Sequence, residues 1–335
     1  MEQLDFRGLK SVKGDIIIDG NSNLFEVKMD DLITVNGSIL VENNAVLIGV
    51  SINSLQQTSS LSFYNDPRMV ALRLDSIRKV NDLRIVQTSI HGLGKVSIDS
   101  LSSLEIGSNP NLSLIDFANL TSIKGPLSIA NNHLQTAANF PILKSIKGTV
   151  TLRNLFDVNI NSLSVIEDTF NLIDNSFKNF TLNLVSTAEK DITIIGNDNL
   201  NSFSFSSLTS LNGGLQIKNN TALQEIGVNS FKKLTTIKGG MELYGPFDNI
   251  TFPAITNIMG AITIESTGDL SCAKTRSKLG SAIKSLYKCS EKQAVSSNPT
   301  KKEFSSSVTS GTNSIFCLNI IISLFLPISA VLSLA

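Results

Sequence analysis

A period of 23 residues constrains this chain more than any other feature of its sequence. Residues 9–24 and 32–47 match position by position at that spacing, and both read L-x-x-V-x-G-x-I-x-I/V-x-x-N-x-x-L. Further copies of the unit begin at Leu120, Leu143, Leu163, Leu208, Leu234 and Ile255. A unit of about 20 to 29 residues is too short for a helical hairpin and falls in the leucine-rich-repeat range. The sequence therefore predicts a solenoid.

The centre of the unit predicts one β-strand in each coil. Alternation across I-x-I places two aliphatic residues inside and the residue between them outside. Stacked coils then form a right-handed parallel β-helix of about ten coils. We expect the Gly to turn a corner at positive φ and the Asn side chain to bond backbone groups at the next turn. Residues 63–112 and 180–200 match the unit poorly and are interpreted as coils with altered corners.

The outward residues of these strands form a row that is a candidate ligand face. Hydroxyl and amide side chains of this kind can hydrogen-bond polysaccharide, although no stacking aromatic lies in the row, and the alternative is a solvated sheet face. Only one member of the row is acidic. The row begins with Ile17 and Leu40, and the candidate ligand residues are Ser128, Thr151, Asn171, Thr193, Gln216, Glu242 and Thr263.

After Leu270 the sequence changes character, as expected where a solenoid needs a cap over its last coil. Leu279, Ile283 and Leu286 have helical spacing, which predicts a short capping helix within residues 272–290. We predict a disulfide between Cys272 and Cys289 that fastens this helix. The alternative is that these cysteines and Cys317, which lies in the C-terminal apolar run, are three unrelated buried thiols.

The C-terminal residues have the order of a GPI-anchor signal. Small residues at Ser305, Ser306 and Ser307 are the attachment candidates, and a mostly polar spacer and an apolar tail over 315–335 follow them. Gly311 to Asn313 is a second attachment region, and a permanent membrane helix is the alternative. The predicted division is a solenoid over 1–271, a cap over 272–290, a Ser/Thr-rich linker over 291–314 and the tail.

Six N-glycosylation sequons agree with passage through the secretory pathway. Their acceptor residues are Asn36, Asn111, Asn119, Asn179, Asn219 and Asn249. A secretory protein also needs a leader, so we expect a signal segment upstream of Met1.

Composition and motifs favour a protein without catalytic, metal or cofactor chemistry. The formal net charge is 0, with 28 basic and 28 acidic residues, so nothing points to nucleic acid as a partner. His91 and His133 lie in different coils without a neighbouring nucleophile motif, and we interpret them as solvated corner residues. Neither zinc-type spacing nor a phosphate-binding loop is present.

The complete unit resembles the repeats of a known family. FANLTSIKGPLSIANNHL and FKKLTTIKGGMELYG, with the C-terminal cysteine pair and the GPI-like tail, resemble fungal GPI-anchored proteins of cell-wall organisation and sporulation. The repeats are also similar to the receptor L-domains of growth-factor receptors, which implies as many as two L-domain-like halves. The resemblance implies a non-enzymatic surface protein that organises the cell or spore wall by scaffolding or binding. Wall polysaccharide or wall proteins would be its partners.

Two other functions remain open from the sequence. A glycan-remodelling enzyme on a solenoid would need two carboxylates roughly 5 to 9.5 Å apart in a groove. An adhesin or receptor ectodomain would need an exposed apolar patch of several hundred Å².

Overall fold

A computed structural model describes residues 2–292, and these residues form a β-solenoid. One parallel sheet of thirteen strands, here the main sheet, runs unbroken along it. The predicted β-solenoid with a short C-terminal helix is confirmed, with more than the expected ten coils. The main-sheet strands are Ile16–Asp19, Ser38–Glu42, Ser60–Asp66, Asp82–Thr88, Ser103–Gly107, Leu127–Ala130, Val150–Arg153, Phe170–Ile173, Ile192–Ile195, Leu215–Lys218, Met241–Gly245, Ile262–Ser266 and Tyr287–Ser290.

Shorter strands form the other sides of the coils, and every pairing among them is parallel. An eight-stranded sheet contains Ser100–Leu101, Ser122–Ile123, Ser145–Ile146, Val165–Ile166, Thr187–Ala188, Ser210–Leu211, Thr236–Ile237 and Asn257–Ile258. Two three-stranded sheets contain Glu2–Asp5, Leu24–Lys28 and Gly49–Ser51, and Leu114–Asp116, Ala137–Asn139 and Asp157–Asn159. Three pairs complete the strands: Ser11–Val12 with Thr34–Val35, Asn179–Thr181 with Ser202–Ser204, and Glu225–Ile226 with Asn249–Ile250.

The additional coils come from the stretch that matches the repeat poorly. Three main-sheet strands, Ser60–Asp66, Asp82–Thr88 and Ser103–Gly107, lie wholly or partly in residues 63–112. Each keeps the alternation of the unit, with Phe63 and Ile85 in register and both fully buried. In these strands the inward residues still follow the unit, whereas the corner before each strand has another residue in the position of the repeat Gly.

The interior is a stack of rows in which equivalent residues of successive coils touch. Ile129, Leu152, Ile217 and Ile264, predicted to be inward, are each at most 1% exposed. Ile129 pairs with Leu152, and Ile217 pairs through Leu243 to Ile264. Because each side chain packs on its counterparts above and below, no coil buries its apolar face alone.

The Phe that often precedes the unit forms a second interior row. Phe117 stacks on Phe140 with ring centroids 5.5 Å apart. Phe205, Phe231 and Phe252 stack in the same way at 5.6 and 5.5 Å. Offset stacking of this kind contributes roughly 0.5 to 1.5 kcal/mol per pair beyond the buried area.

The conserved spacing of Asn in the repeat produces an interior hydrogen-bonded row, here the Asn ladder. Asn197 is representative. Its Oδ1 accepts hydrogen bonds from the backbone N and Nδ2 of Asn175. Its Nδ2 donates to Asn220 Oδ1 at 3.0 Å and to the backbone carbonyl of Leu172. The Asn side chains therefore bond backbone groups, as predicted. The members are Asn44, Asn109, Asn132, Asn175, Asn197 and Asn220, with Asp66, Thr88 and Leu155 in the same position of other coils.

The predicted role of the repeat Gly was wrong. Positive φ occurs instead at the residue before the Asn ladder, as at Asn43 and Asn219, where φ is 58° and 55°. Gly239 has no positive φ, but a Cβ there would lie 2.5 Å from the backbone N of Gly214 in the adjacent coil. The repeat Gly is needed because neighbouring backbones approach closely at this corner, which leaves no space for a side chain.

The C-terminal end is closed by a helix followed by a strand, and the predicted helix was too long. Helix Cys272–Leu279 gives way to a 3-10 turn, Gly280–Ala282, and Tyr287–Ser290 then pairs with Ile262–Ser266 as the last main-sheet strand. Leu286, assigned to the helix from spacing, is 57% exposed. Gly280 ends the helix at φ 49°. Cys272 and Cys289 form a disulfide that joins the helix to this strand.

Candidate ligand-binding face

The outward residues of the main sheet form one continuous row along the solenoid. Successive partners from Ser128 to Thr263 are paired strand by strand in the order predicted from the repeat. All seven are partly exposed. A regular row of hydroxyl and amide groups at the strand spacing can hydrogen-bond an extended polar polymer.

The structure adds members to this row that sequence reasoning missed. Ser62, Arg84 and Glu105 continue the row towards Leu40 and Ile17, and Lys288 follows Thr263 at the other end. The signal for the first three was present in the alternating segments LSF, LRI and LEI, although the preceding corner residues had diverged.

The two acidic residues of the row are each paired with a cation. Glu105 Oε2 accepts from Arg84 Nε at 3.0 Å, and Glu242 is ion-paired with Lys218. Both carboxylates are therefore fixed by a neighbouring side chain of the same face, as in an ordered binding surface.

A second outward row lies two residues further along each strand and contains the aromatic residues that the first row lacks. Tyr64 and Tyr244 are both partly exposed there. Arg84 lies 4.2 Å from the ring centroid of Tyr64, and Lys218 lies 5.0 Å from that of Tyr244. Such cation–π contacts hold a surface ring in place. Sequence reasoning overlooked both tyrosines because it ended each strand at the second aliphatic residue.

A groove of about 700 Å³ opens beside Tyr244 near the C-terminal end of the main sheet. Lys218, Tyr244, Glu265 and Ser290 are register partners on four successive strands. All but Lys218 line the groove. The other lining residues are Asn219, Thr221, Gly245, Pro246, Ser266 and Thr267.

The sequon acceptors lie away from the outward row of the main sheet. Asn36, Asn111, Asn119, Asn179 and Asn219 are exposed, and Asn249 is half-buried. Asn249 Oδ1 accepts a hydrogen bond from Lys278 Nζ on the capping helix at 2.7 Å. Asn219 stands at the corner after a main-sheet strand, beside the groove.

The remaining sequence-predicted residues do not form a second site in the described part of the chain. His91 is exposed, and His133 Nδ1 accepts from the backbone N of Gln135 at 3.1 Å. Residues 2–292 contain no group of His, Cys, Asp or Glu side chains suited to hold a metal ion. They also contain no helix with the length and hydropathy of a membrane span. Ser305, Ser306, Ser307, Cys317 and the apolar tail lie outside the described residues.

The chain is homologous to fungal cell-surface proteins. It is 27% identical to "Protein ecm33" of Aspergillus fumigatus over 93% of this chain and 77% of that protein. It is 24% identical to "Sporulation-specific protein 2" of Saccharomyces cerevisiae over 84% of this chain and 56% of the relative. It is 25% identical to "Cell surface GPI-anchored protein ECM33" of Candida albicans over 79% of this chain and 64% of the relative. The chain thus spans little more than half of some of these relatives.

No family model matches the chain, and no solved structure matches it.

Proposed function

We propose that this chain is a non-enzymatic cell-surface protein that organises the fungal cell wall or spore wall by scaffolding or binding. The observation that carries the proposal is its homology, over most of its length, to proteins named for the cell surface and sporulation, and over 48% of it to one named as a cell wall protein. The solenoid supports it physically, because a rod with one continuous polar face offers regularly spaced bonding groups to an extended wall component.

We propose further that the protein is held at the outer face of the plasma membrane by a GPI anchor. The order of Ser305 to Ser307, a polar spacer and an uncharged apolar tail supports this assignment. The disulfide agrees with an oxidising compartment, because disulfides persist in secreted proteins. The words "GPI-anchored" in the names of two relatives agree with it as well.

Wall polysaccharide or wall proteins are the proposed partners, and the main-sheet face is the proposed contact surface. The row from Ser128 to Thr263 is uncharged except for Glu242, which Lys218 neutralises. None of the six sequon acceptors is a member of this row, although Asn219 borders the groove beside Tyr244 on the same face.

Deleting the gene in its source fungus and restoring variants tests the wall role. We expect the deletion strain to be hypersensitive to wall-binding dyes or to form defective spore walls, and the native gene to restore resistance. Normal walls in both growing cells and spores of the deletion strain would contradict the proposal.

The anchor is tested on the restored native protein. We expect it to be released from membranes by a GPI-specific phospholipase, after deacylation where required, or to be recovered linked to wall glucan. Insertion of two Lys residues near Leu324 should prevent anchoring, since each costs about 2.5 to 3.5 kcal/mol at the centre of an apolar helix. Recovery of an intact C-terminal peptide through Ala335 from the cell surface would show that the tail is a permanent span.

A further inference from the structure

We infer that the groove beside Tyr244 is a saccharide-binding subsite in which a sugar ring packs on the tyrosine and bonds to Glu265 and Asn219. The inference rests on the proposed wall function and deepens it by naming the ligand class and the place of binding. The sugar can come from two sources that share this chemistry: a separate polysaccharide chain, or the N-linked glycan of Asn219 itself.

The position of the Tyr244 ring is the first argument for a saccharide site. Lys218 Nζ covers the ring from the preceding coil, at 5.0 Å from the centroid, and is itself held by Glu242. The groove-lining residues Glu265 and Ser290 come from the two coils on the other side. The ring is therefore fixed from one direction and borders open space in the other. A fixed, partly exposed aromatic ring is a suitable platform for the C–H face of a pyranose.

The polar groups of the groove are the second argument for a saccharide site. Glu265 is exposed, and its carboxylate can accept hydrogen bonds from sugar hydroxyls. Asn219 contributes an amide, while Thr267 and Ser290 contribute exposed hydroxyls. The hydroxyls of Ser266 and Thr221 are already engaged, since they donate to the carbonyl of Phe247 and to Asp198. Gly245 has no side chain and Pro246 has a short one, so neither projects far into the groove. Dense neutral donors and acceptors around one aromatic ring match a polyhydroxylated ligand.

The lining of the groove excludes two other classes of ligand. Its charge disfavours anionic groups, and its polarity disfavours apolar molecules. None of its nine lining residues is Lys or Arg, while one is Glu, so phosphate or sulfate groups would meet a carboxylate without a lining cation. Apolar side chains are also scarce, since Pro246 is the single aliphatic residue besides glycine in the lining. A lipid or apolar peptide would leave these hydroxyls and amides unpaired.

The sequon explains why an attached glycan is the second source. The backbone N of Asn219 donates to the carbonyl of Tyr244 at 2.8 Å, which places the acceptor residue next to the ring. A glycan on Asn219 would begin at the groove and cover it. A bare Asn219 would leave the groove open to a separate chain.

Two arms of one experiment distinguish the sources, using the full chain secreted from yeast and solubilised in detergent. In the first arm, N-glycosylation is blocked with tunicamycin during expression so that Asn219 stays bare, and the protein is titrated with laminarihexaose and chitohexaose. Isothermal titration calorimetry measures the affinity, because it needs no signal from the tyrosine that one of the variants removes. For a separate polysaccharide, we expect saturable binding of one probe that Tyr244→Ala weakens at least tenfold.

In the second arm, the native protein is treated with a peptide N-glycosidase while folded. For the attached source, we expect Asn219 to carry a glycan that is released at least tenfold faster from Tyr244→Ala than from the native chain. Tyr64→Ala is the matched control in both arms, because Tyr64 has the same cation–π contact but lies outside this groove and has no adjacent sequon.

A milder variant guards against loss of folding. Glu265→Gln changes an exposed residue and should weaken probe binding or speed glycan release at least threefold with an unchanged melting temperature. The inference is overturned if neither probe binds in a Tyr244-dependent way and the Asn219 glycan is either absent or released equally from Tyr244→Ala. A Tyr244→Ala chain that loses saccharide binding but restores the wall would instead separate this site from the wall function.

Discussion

Asp66 stands in the Asn ladder where most coils place an amide, and it is fully buried. Its Oδ1 accepts from the backbone N and Nδ2 of Asn44, while Oδ2 has no hydrogen-bond partner within residues 2–292. Burial, with a smaller contribution from the nearby carboxylates of Glu42 and Asp19, raises the pKa of Asp66 to about 6, although the hydrogen bonds from Asn44 act in the opposite direction. At the equivalent position, Asn44 and Asn109 each donate a hydrogen bond from Nδ2 to a backbone carbonyl of the preceding coil. An ionised carboxylate has no proton with which to make that bond.

We expect Asp66→Asn to stabilise the protein in a pH-dependent way. A raised folded-state pKa means that the folded state keeps its proton between about pH 4 and 6 while the unfolded chain loses it, so native stability falls over this range and stays reduced above it. The variant should gain roughly 1 to 3 kcal/mol over the native protein at pH 7.5 and much less at pH 4. Urea denaturation from pH 4 to 7.5 measures this difference. The exposed control Asp99→Asn should show none, and a gain independent of pH would argue against a titrating Asp66.

Gly239 illustrates a residue whose substitution is limited by a neighbouring coil. A Cβ there would lie 2.5 Å from the N of Gly214 and 2.6 Å from the carbonyl carbon of Gly213, and backbone cannot move aside cheaply. We expect Gly239→Ala to cost at least about 2 kcal/mol of unfolding free energy. Gly227→Ala is the control, because in the described part of the chain no atom beyond its two sequence neighbours lies within 4 Å of its Cβ position. Equal stabilities of the two variants in denaturant titration would disprove the packing explanation.

At the scale of the element, the Asn ladder is a chain of buried amides in which each member satisfies its neighbours. Removing Asn197 leaves the backbone N of Asn175 and the carbonyl of Leu172 without their partners in the interior. Each unsatisfied buried group costs roughly 1 to 3 kcal/mol. We expect Asn197→Ala to lose about 3 kcal/mol or more in urea denaturation.

Asn199 provides the matched control two residues away. It is exposed, and its single side-chain bond reaches the carbonyl of Ser176 at 3.3 Å. Asn199→Ala should change stability by less than about 1 kcal/mol. A similar loss in both variants would mean that the ladder contributes nothing beyond local turn structure.

The sequence could predict those elements whose contacts join equivalent positions of successive coils. Inward residues such as Ile217 and outward ones such as Gln216 repeat with the period, because every coil meets the same neighbours. The last strand, Tyr287–Ser290, was missed because it pairs with the solenoid without repeating its sequence. Tyr244 was missed as part of the candidate site because it follows the second aliphatic residue, where the predicted strand ended, and because its neighbours Lys218 and Glu265 belong to two other coils.

At the scale of the whole molecule, the capping segment closes one end of a structure whose coils stabilise each other in series. Removing the disulfide with Cys272→Ser and Cys289→Ser releases a link that closes a loop of 17 residues and contributes about 3 kcal/mol. In a linear array, this loss should act on the terminal coils first and fade with distance.

Hydrogen exchange followed by mass spectrometry checks this gradient. We expect faster exchange in Tyr287–Ser290 and Ile262–Ser266, with little change in Leu127–Ala130. Lys288→Ala, an outward substitution on the same final strand, should leave exchange unchanged. Uniformly faster exchange along the solenoid would show that the cap controls one cooperative unit instead of the end alone.

The nearest-neighbour pairing of the main sheet also bears on how such a chain reaches its folded state during synthesis. Each strand pairs with the one that left the ribosome about one repeat earlier, so contact formation never waits for a distant part of the sequence. Loop-closure cost per coil stays constant as the chain lengthens, whereas in most β-rich proteins it grows with long-range pairing. Folding can therefore proceed coil by coil in the direction of translocation. A newly formed end would expose an unpaired edge until the next coil arrives, and the final strand and helix would end that exposure.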